Sequence, residues 1–202
     1  MTALAPWRSP LARALHRNRA LAYARYFQLA TLRAEGVPAN RTVVFRGFLP
    51  DSNALLAITD RRNQKIAQIA HNPHSEICWY FPKTREQFRL SGLLYSVDAS
   101  HDNPAWQRAY SATWLQLSPA ARAQFTSVNS DLAVTSDPTR EANPDTSEPP
   151  DTFRLLIFEP TVVEHLELQP EPSTGERSHP HQAHLYQHEP PDKWTTCAVD
   201  LF

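Results

Sequence analysis

Two arginines stand on a segment whose composition is typical of a β-strand. The segment is RTVVFRGF at residues 41–48, and alternation along a strand places Arg41 and Arg46 on opposite faces, each beside apolar neighbours. A partly buried guanidinium needs an anionic partner, and a phosphate group fits its fork of N–H donors. The pattern therefore indicates an anion site, unless this is an edge strand whose arginines reach solvent.

A second set of polar residues lies where a strand gives way to a helix. The strand ends at Thr59, and a short turn leads to a helix that begins near Gln64 and Lys65. A helix start offers free backbone N–H groups and the positive end of its dipole. With the amide of Asn63 and the charge of Arg41, these groups predict a socket for a dianion. The alternative is a capped helix on the surface.

The pattern of apolar residues predicts short strands with few helices between them. One helix is expected at 9–25, with Ser9 as its cap and Pro10 at its first position, and others at 63–71, 104–112 and 119–126. Strands are expected at 26–33, 41–48, 54–60, 76–81, 87–97, 183–189 and 193–202. Residues 153–168 form one long strand, or two strands that break near Pro160.

Strands joined mostly by short turns favour an antiparallel barrel over a doubly wound parallel sheet. We therefore expect a mainly β fold with peripheral helices, in one domain over residues 1–202. Residues 128–152 are acidic and rich in proline, which predicts a mobile surface loop.

The charge of the chain is unevenly distributed. The 202 residues carry a formal net charge of −1, but residues 1–65 hold 11 Lys/Arg and 3 Asp/Glu, while residues 128–202 hold 4 and 14. A cationic first third suits a phosphate ligand or an acidic partner. It equally suits a basic half of the chain that folds against an acidic half.

Composition excludes several classes of protein. The 18 prolines and 4 glycines exclude collagen and glycine-rich linkers. No stretch approaches the roughly eighteen apolar residues of a membrane span. Charged residues and prolines interrupt the amino-terminal segment and two cysteines are too few for a disulfide framework, so we expect a cytoplasmic protein. Histidines 179, 181, 184 and 188 lack a fixed ligand spacing, so no metal site is predicted.

Three motifs occur in order along the chain. They are R-T-V-V-F-R from Arg41, T-D-R-R-N-Q-K-x-x-Q-I-x-x-N-P from Thr59, and T-R-E-Q-F-R-L-S-G from Thr84. Together they resemble the pyridoxamine 5′-phosphate oxidase superfamily, which consists of FMN-binding split β-barrels of antiparallel, Greek-key type. A branch in cyanobacteria and plants is more similar still, because it shares the segments Pro6–Trp7, Tyr26–Thr31, Asn40–Phe48 and Cys78–Phe81. The resemblance covers residues 6–126 and, loosely, 153–168.

The resemblance implies FMN as the cofactor and gives roles to individual residues. Arg41 and Lys65 match residues that contact the FMN phosphate. The backbone of Thr42, Val43 and Val44 matches the segment that runs along the edge of the isoalloxazine ring.

Further implied contacts involve the rest of the flavin and a second subunit. Thr59 matches a threonine beside the ribityl–phosphate region, whereas Asn63 and Gln64 stand where the oxidases usually have Ser and Arg. Gln87 matches a glutamine that contacts flavin from the partner subunit. The resemblance therefore implies a homodimer with FMN at its interface.

The residues that would hold a substrate depart from the family pattern. Arg46 matches a lysine that helps to hold the substrate phosphate, so the charge is retained. Tyr110 and Ser118 fit a Tyr–Arg–Ser set, but Trp114 replaces its arginine. A later arginine is replaced by Ala183 or a nearby histidine. The resemblance therefore implies FMN binding, but these departures remove the implication that the chain oxidises vitamin B6 phosphates.

Three functions follow from these observations. The first is an FMN-dependent oxidoreductase that acts on an unidentified small molecule. The second is a carrier, sensor or degenerate oxidase that binds FMN without turnover. The third is a barrel without flavin that binds nucleic acid through its basic face, which ranks last because the aromatic–basic interleaving of such surfaces is missing.

Overall fold

The computed structural model describes residues 4–126, 147–168, 182–190 and 193–199. The helices of this part are α1 Arg8–Arg17, a 3₁₀ helix at Ala22–Arg25, α2 Gln64–His71, α3 Pro104–Leu115 and α4 Pro119–Thr126. The strands are β1 Tyr26–Leu32, β2 Pro38–Val44, β3 Gly47–Phe48, β4 Leu55–Asp60, β5 His74–Phe81, β6 Glu86–Val97, β7 Phe153–Glu167, β8 Gln182–Glu189 and β9 Lys193–Ala198. Most of the expected 128–152 loop lies outside the described residues.

The strands form one antiparallel sheet that curls back on itself without closing. Its order is β2-β1-β5-β6-β7-β4-β3, with β8 and β9 following β7 on a side branch. The two ends of this order, β2 and β3, are separated in the chain only by Phe45 and Arg46. The expected fold class, a mainly β split barrel with peripheral helices, is confirmed. No helix in the described part is long and apolar enough to cross a membrane.

Strand β7 creates the split. Its first half pairs with β4 and its second half pairs with β8. Pro160 lies between the halves, opposite an irregularity at Ser91/Gly92 of β6. Because proline has no backbone N–H to donate, it fits the point where the pairing changes. Although its partners change at Pro160, β7 is one continuous strand rather than two.

Alternate residues of β7 enter two apolar cores on opposite faces of the sheet. Leu156 and Phe158 belong to the barrel core, which also contains Trp79. Leu155 and Ile157 belong to a second core, which includes buried side chains of α3 and α4. Burial on both faces explains why this part of the sequence is apolar without alternation.

Three predicted elements are wrong in extent, one of them the helix expected at 104–112, which continues to Leu115. The first helix ends at Arg17 because the buried Asn18 turns its side chain to the β5–β6 connection, where it accepts from Lys83 N at 3.0 Å. The helix also begins at Arg8, so Ser9 is not its cap and Pro10 is its third residue rather than its first. The strand predicted at 41–48 divides into β2 and β3, since Arg46 N leaves the β2 pairing to donate to Leu56 O at 2.8 Å.

The close approach of β6 and β7 gives a test of the fold. A Cβ atom added to Gly92 would lie 2.1 Å from Glu159 O and 2.8 Å from Pro160 Cα, both of which are backbone atoms. Gly92→Ala is therefore expected to lower the free energy of unfolding by about 1–3 kcal/mol or more, measured by urea denaturation. Ser96→Ala on the same strand is the control, and an equal loss in both variants would contradict the clash.

Candidate functional site

A cleft of about 320 Å³ opens between β2, the end of β4 and the start of α2. Six residues that the sequence nominates for ligand binding line it together, namely Thr42, Val43, Val44, Arg46, Thr59 and Lys65. They come from three segments of the chain, which the curl of the sheet brings together.

Lys65 is the most deeply buried charge in this cleft. Its side chain lies in the first turn of α2, the residue is 6% exposed, and Nζ donates to Thr59 Oγ1 at 2.8 Å. Burial and, to a smaller extent, the positive charge of Arg41 lower the pKa of Lys65 from 10.5 to about 8, although the charge of Asp60 opposes the shift. The ammonium group thus has a neutral hydrogen-bond partner and a like charge nearby.

Arg41 is held by neutral oxygens rather than by a carboxylate. Its Nη1 donates to Thr31 Oγ1 at 2.5 Å and its Nη2 to Gln68 Oε1 at 2.9 Å. Thr31 in turn donates to Gln68 Oε1 at 2.6 Å, and both residues are buried. Burial and the charge of Arg33 lower the pKa of Arg41. The side chain of Arg41 is therefore held in place by neutral groups, which do not cancel its positive charge.

The acidic residue in the cleft is engaged elsewhere. Asp60 Oδ2 receives Arg62 Nη2 at 2.6 Å, and Oδ1 receives Arg62 Nε at 2.9 Å. Burial raises the pKa of Asp60, but the hydrogen bonds from Arg62 outweigh burial and bring the pKa below its ordinary value. Arg61 forms an ion pair with Asp151. Arg61 and Arg62 are thus paired with carboxylates, whereas the hydrogen bonds of Arg41 and Lys65 to described side chains go to neutral oxygens.

The cleft is not lined by three other nominated polar residues, Arg41, Asn63 and Gln64. Asn63 caps α2 by accepting a hydrogen bond from Lys65 N at 3.1 Å. Asn63 and Gln64 are exposed, and neither is among the residues that line the cleft. The capped-helix interpretation therefore describes Asn63 correctly, although α2 still carries Lys65 into the cleft.

Helix α4 contributes two lining residues that the sequence did not indicate, Gln124 and Phe125. Phe125 also packs on Phe153 in the second core, with ring centroids 5.1 Å apart. No motif marks these residues, because only the packing of α4 against the sheet brings them to the cleft.

Gln87 lies in a different cleft of about 380 Å³, on the side of the sheet where β8 joins β7. Ala183 and His165 line the same cleft. His165 is 1% exposed and its Nε2 lies 2.9 Å from Glu86 Oε2. Within one chain, Gln87 is therefore not brought together with Arg41 and Lys65.

The nominated substrate residues separate into two groups. Arg46 lines the first cleft, but Tyr110 is 2% exposed and packs on Phe153 with ring centroids 5.1 Å apart. Trp114 is fully buried in the same core. The hydroxyl of Ser118 accepts from Ala121 N at 3.3 Å in the first turn of α4. Tyr110 and Ser118 thus serve packing and capping in this structure.

Comparison with known proteins identifies the family. The family model described as pyridoxamine 5′-phosphate oxidase, FMN-binding domain, matches residues 4–98. Over 177 residues the chain is 36% identical to pyridoxine/pyridoxamine 5′-phosphate oxidase 2 of Arabidopsis thaliana, a match that covers 83% of this chain and 86% of that relative. The chain belongs to the pyridoxamine 5′-phosphate oxidase family.

Solved structures agree with this assignment. A pyridoxamine 5′-phosphate oxidase-related, FMN-binding protein of Nostoc punctiforme is 45% identical, with a TM-score of 0.84 over 98% of both chains. PhzG from Burkholderia lata, solved with tetrahydrophenazine-1-carboxylic acid, has a TM-score of 0.71 at 16% identity over 95% of this chain and 91% of its own. The second likeness concerns the fold alone.

The burial of Lys65 predicts a pH-dependent stability. Since the folded-state pKa of Lys65 is about 8 and its ordinary value is 10.5, the unfolded chain binds the proton more tightly, so the fold loses stability as the pH falls from 10.5 to about 8 and loses no more from this group at lower pH. Relative to Lys65→Met, the ligand-free protein is expected to gain up to about 3 kcal/mol as the pH rises through this window. Urea unfolding of both proteins at several pH values measures the difference, and parallel curves would contradict it.

Proposed function

We propose that this chain binds FMN with the phosphate at Arg41 and Lys65, and that it is a flavin-dependent oxidoreductase. The observation that carries the proposal is Lys65, which lines the cleft with a neutral hydrogen-bond partner, together with Arg41, whose nearby charge lowers the pKa of Lys65. A phosphate dianion supplies the missing counter-charge, and charge-assisted hydrogen bonds to a phosphate are strong in a partly buried site.

The residues around these cations fit the rest of the cofactor. Thr59 offers a hydroxyl next to Lys65 Nζ, and the backbone of Thr42, Val43 and Val44 lines the cleft beside them. Phe125 adds an apolar wall to the cleft. The donor set therefore suits a ligand with a charged ester end and a flat, largely apolar body.

Bound FMN would supply the redox chemistry, by accepting and returning a hydride. The task of the chain is to hold the phosphate, to line the ring with Val43 and Val44, and to keep water away. Simple hydride transfer needs no acid–base pair from the protein, so we assign no Asp or His as a catalytic residue.

A homodimer completes this proposal. Gln87, which the family resemblance places against flavin, lines the separate cleft where β8 joins β7. From there it would reach the FMN of a partner subunit. We infer a cytoplasmic, single-domain protein with one FMN site at each side of a two-fold interface. Nucleic acid is not proposed as a partner.

A second candidate is a protein that binds FMN without turnover. It is favoured by the burial of Tyr110 and Trp114 and by the capping role of Ser118, since these positions would otherwise help to hold a substrate. Rapid reoxidation of bound flavin coupled to a defined small molecule would exclude this candidate.

The FMN proposal is tested on protein purified without added cofactor. We expect a yellow protein with a bound-flavin absorbance spectrum and the mass of a dimer in sedimentation. The affinity for FMN is expected to fall at least a hundredfold in the double variant Arg41→Ala/Lys65→Ala. In Gln87→Ala the affinity for FMN is expected to fall without any change in the fold. Colourless protein that also fails to bind added FMN would refute the proposal, and so would unchanged affinity in the double variant.

Gln68 provides a sharper electrostatic test. A carboxylate at this position would form an ion pair with Arg41 and so cancel its charge without a ligand. Gln68→Glu is therefore expected to stabilise the ligand-free protein and to weaken FMN binding by roughly tenfold or more. Gln187→Glu, an exposed substitution on β8, is the matched control. Equal FMN affinity in wild type and Gln68→Glu, measured by quenching of flavin fluorescence, would contradict the uncompensated cation pair.

A further inference from the structure

Three side chains of metal-ligating type meet on the barrel-core face of β6 and β7. Glu86 and Glu167 are direct partners across these two strands, and His165 lies two positions before Glu167 on the same face. One donor atom from each of the three residues lies within 4.8 Å of the other two. None of the three lines the cleft that contains Lys65, so they form a separate cluster.

The imidazole of this cluster points at both carboxylates. His165 Nε2 lies 2.9 Å from Glu86 Oε2 and 3.7 Å from Glu167 Oε1. Around a tetrahedral zinc ion with bonds of about 2.0–2.1 Å, neighbouring donor atoms are roughly 3.3 Å apart. The two observed distances lie on either side of this value, so small movements of the side chains would admit an ion.

Two members of the cluster are held in place by the fold. His165 is 1% exposed, and its ring stacks on Phe88 with centroids 4.1 Å apart and planes 9° apart. Glu86 is buried and forms hydrogen bonds with His165 and Thr84. The side chain of Glu167 is 37% exposed, which leaves a path for an ion from solvent.

The carboxylates of the cluster lack a matching positive charge. Glu86 and Glu167 occupy directly opposite positions, where like charges destabilise a pair of strands. Neither carboxylate forms an ion pair with a lysine or an arginine of the described residues, although Arg13 on α1 acts on Glu86 through its charge. A divalent cation between the two carboxylates would offset their repulsion.

We propose that Glu86, His165 and Glu167 bind a divalent transition-metal ion, for which zinc fits the donor set best. Zinc accepts one imidazole nitrogen and two carboxylate oxygens, whereas Mg²⁺ and Ca²⁺ prefer oxygen ligands alone. Three protein ligands leave the fourth position of a tetrahedral zinc ion to water. The ion replaces the hydrogen bond between His165 and Glu86 and joins β6 to β7. This inference does not depend on the proposed function.

Equilibrium dialysis of the tag-free full chain against Zn²⁺, with the metal content measured by mass spectrometry, tests the inference. After treatment with EDTA, the chain is expected to take up one zinc ion. Glu167→Gln, which removes the most exposed ligand, is expected to weaken zinc binding roughly tenfold or more.

Glu164→Gln is the matched control for the dialysis. Glu164 is the nearest other carboxylate of β7, it points to the opposite face, and it pairs with Arg89 at 3.0 Å. Zinc affinity that is equal in wild type and Glu167→Gln, or that falls equally in Glu164→Gln, would overturn the proposal.

Thermal unfolding in EDTA and in excess zinc gives a second measurement. In EDTA, Glu167→Gln is expected to unfold at a higher temperature than wild type, because the substitution removes the pair of like charges. Zinc is expected to raise the midpoint of wild type more than that of Glu167→Gln, since an ion that binds only the folded state stabilises it. A lower midpoint for Glu167→Gln in EDTA would overturn the proposal, because a protonated His165 would then already balance both carboxylates.

Two further outcomes would assign the ion to other ligands. His179 and His181 lie outside the described residues, and the double variant His179→Gln/His181→Gln is expected to keep its zinc. Loss of zinc from that variant would overturn the proposed ligand set. Tighter binding of Mg²⁺ than of zinc would overturn the role of the imidazole. The flavin proposal stands or falls separately, because none of the three ligands lines the first cleft.

Discussion

The site depends on two positive charges that the fold brings close together, while the carboxylate beside them, Asp60, is already paired with Arg62. Arg41 lies on β2 and Lys65 in the first turn of α2, and each is hydrogen-bonded to neutral groups. The charge of Arg41 lowers the pKa of Lys65. Such a pair destabilises the ligand-free protein, since desolvation and mutual repulsion both disfavour the charged forms. An anionic ligand would offset this destabilisation, and the free energy released would add to its binding affinity.

The neutral partners are as important as the cations. Thr31 and Gln68 are buried and hydrogen-bonded to each other, so they fix the guanidinium of Arg41 while adding no charge. A carboxylate in place of Gln68 would satisfy the same geometry and remove the reason to bind an anion. Asp60, the acidic residue that lines the cleft, is held by Arg62. Local ion pairing thus protects the charge of the site from cancellation.

Strand β7 gives this site its surroundings. It pairs with β4 at one end, which fixes Thr59, and with β8 at the other, which forms the separate cleft of Gln87. Its two buried faces also support α4, which adds Phe125 to the first cleft. One strand therefore positions both regions that the FMN proposal assigns to different subunits.

The sequence determined the strand segments, the start of α2 and the residues that meet at the cation pair, because apolar alternation and capping residues act locally. It also placed the chain in its family through an ordered set of motifs. The tertiary structure alone decided that Gln124 joins the cleft, that Tyr110 is packed in a core, and that Glu86 lies beside His165. These outcomes depend on contacts between residues far apart in the chain, and local periodicity carries no information about which distant surfaces will pack together.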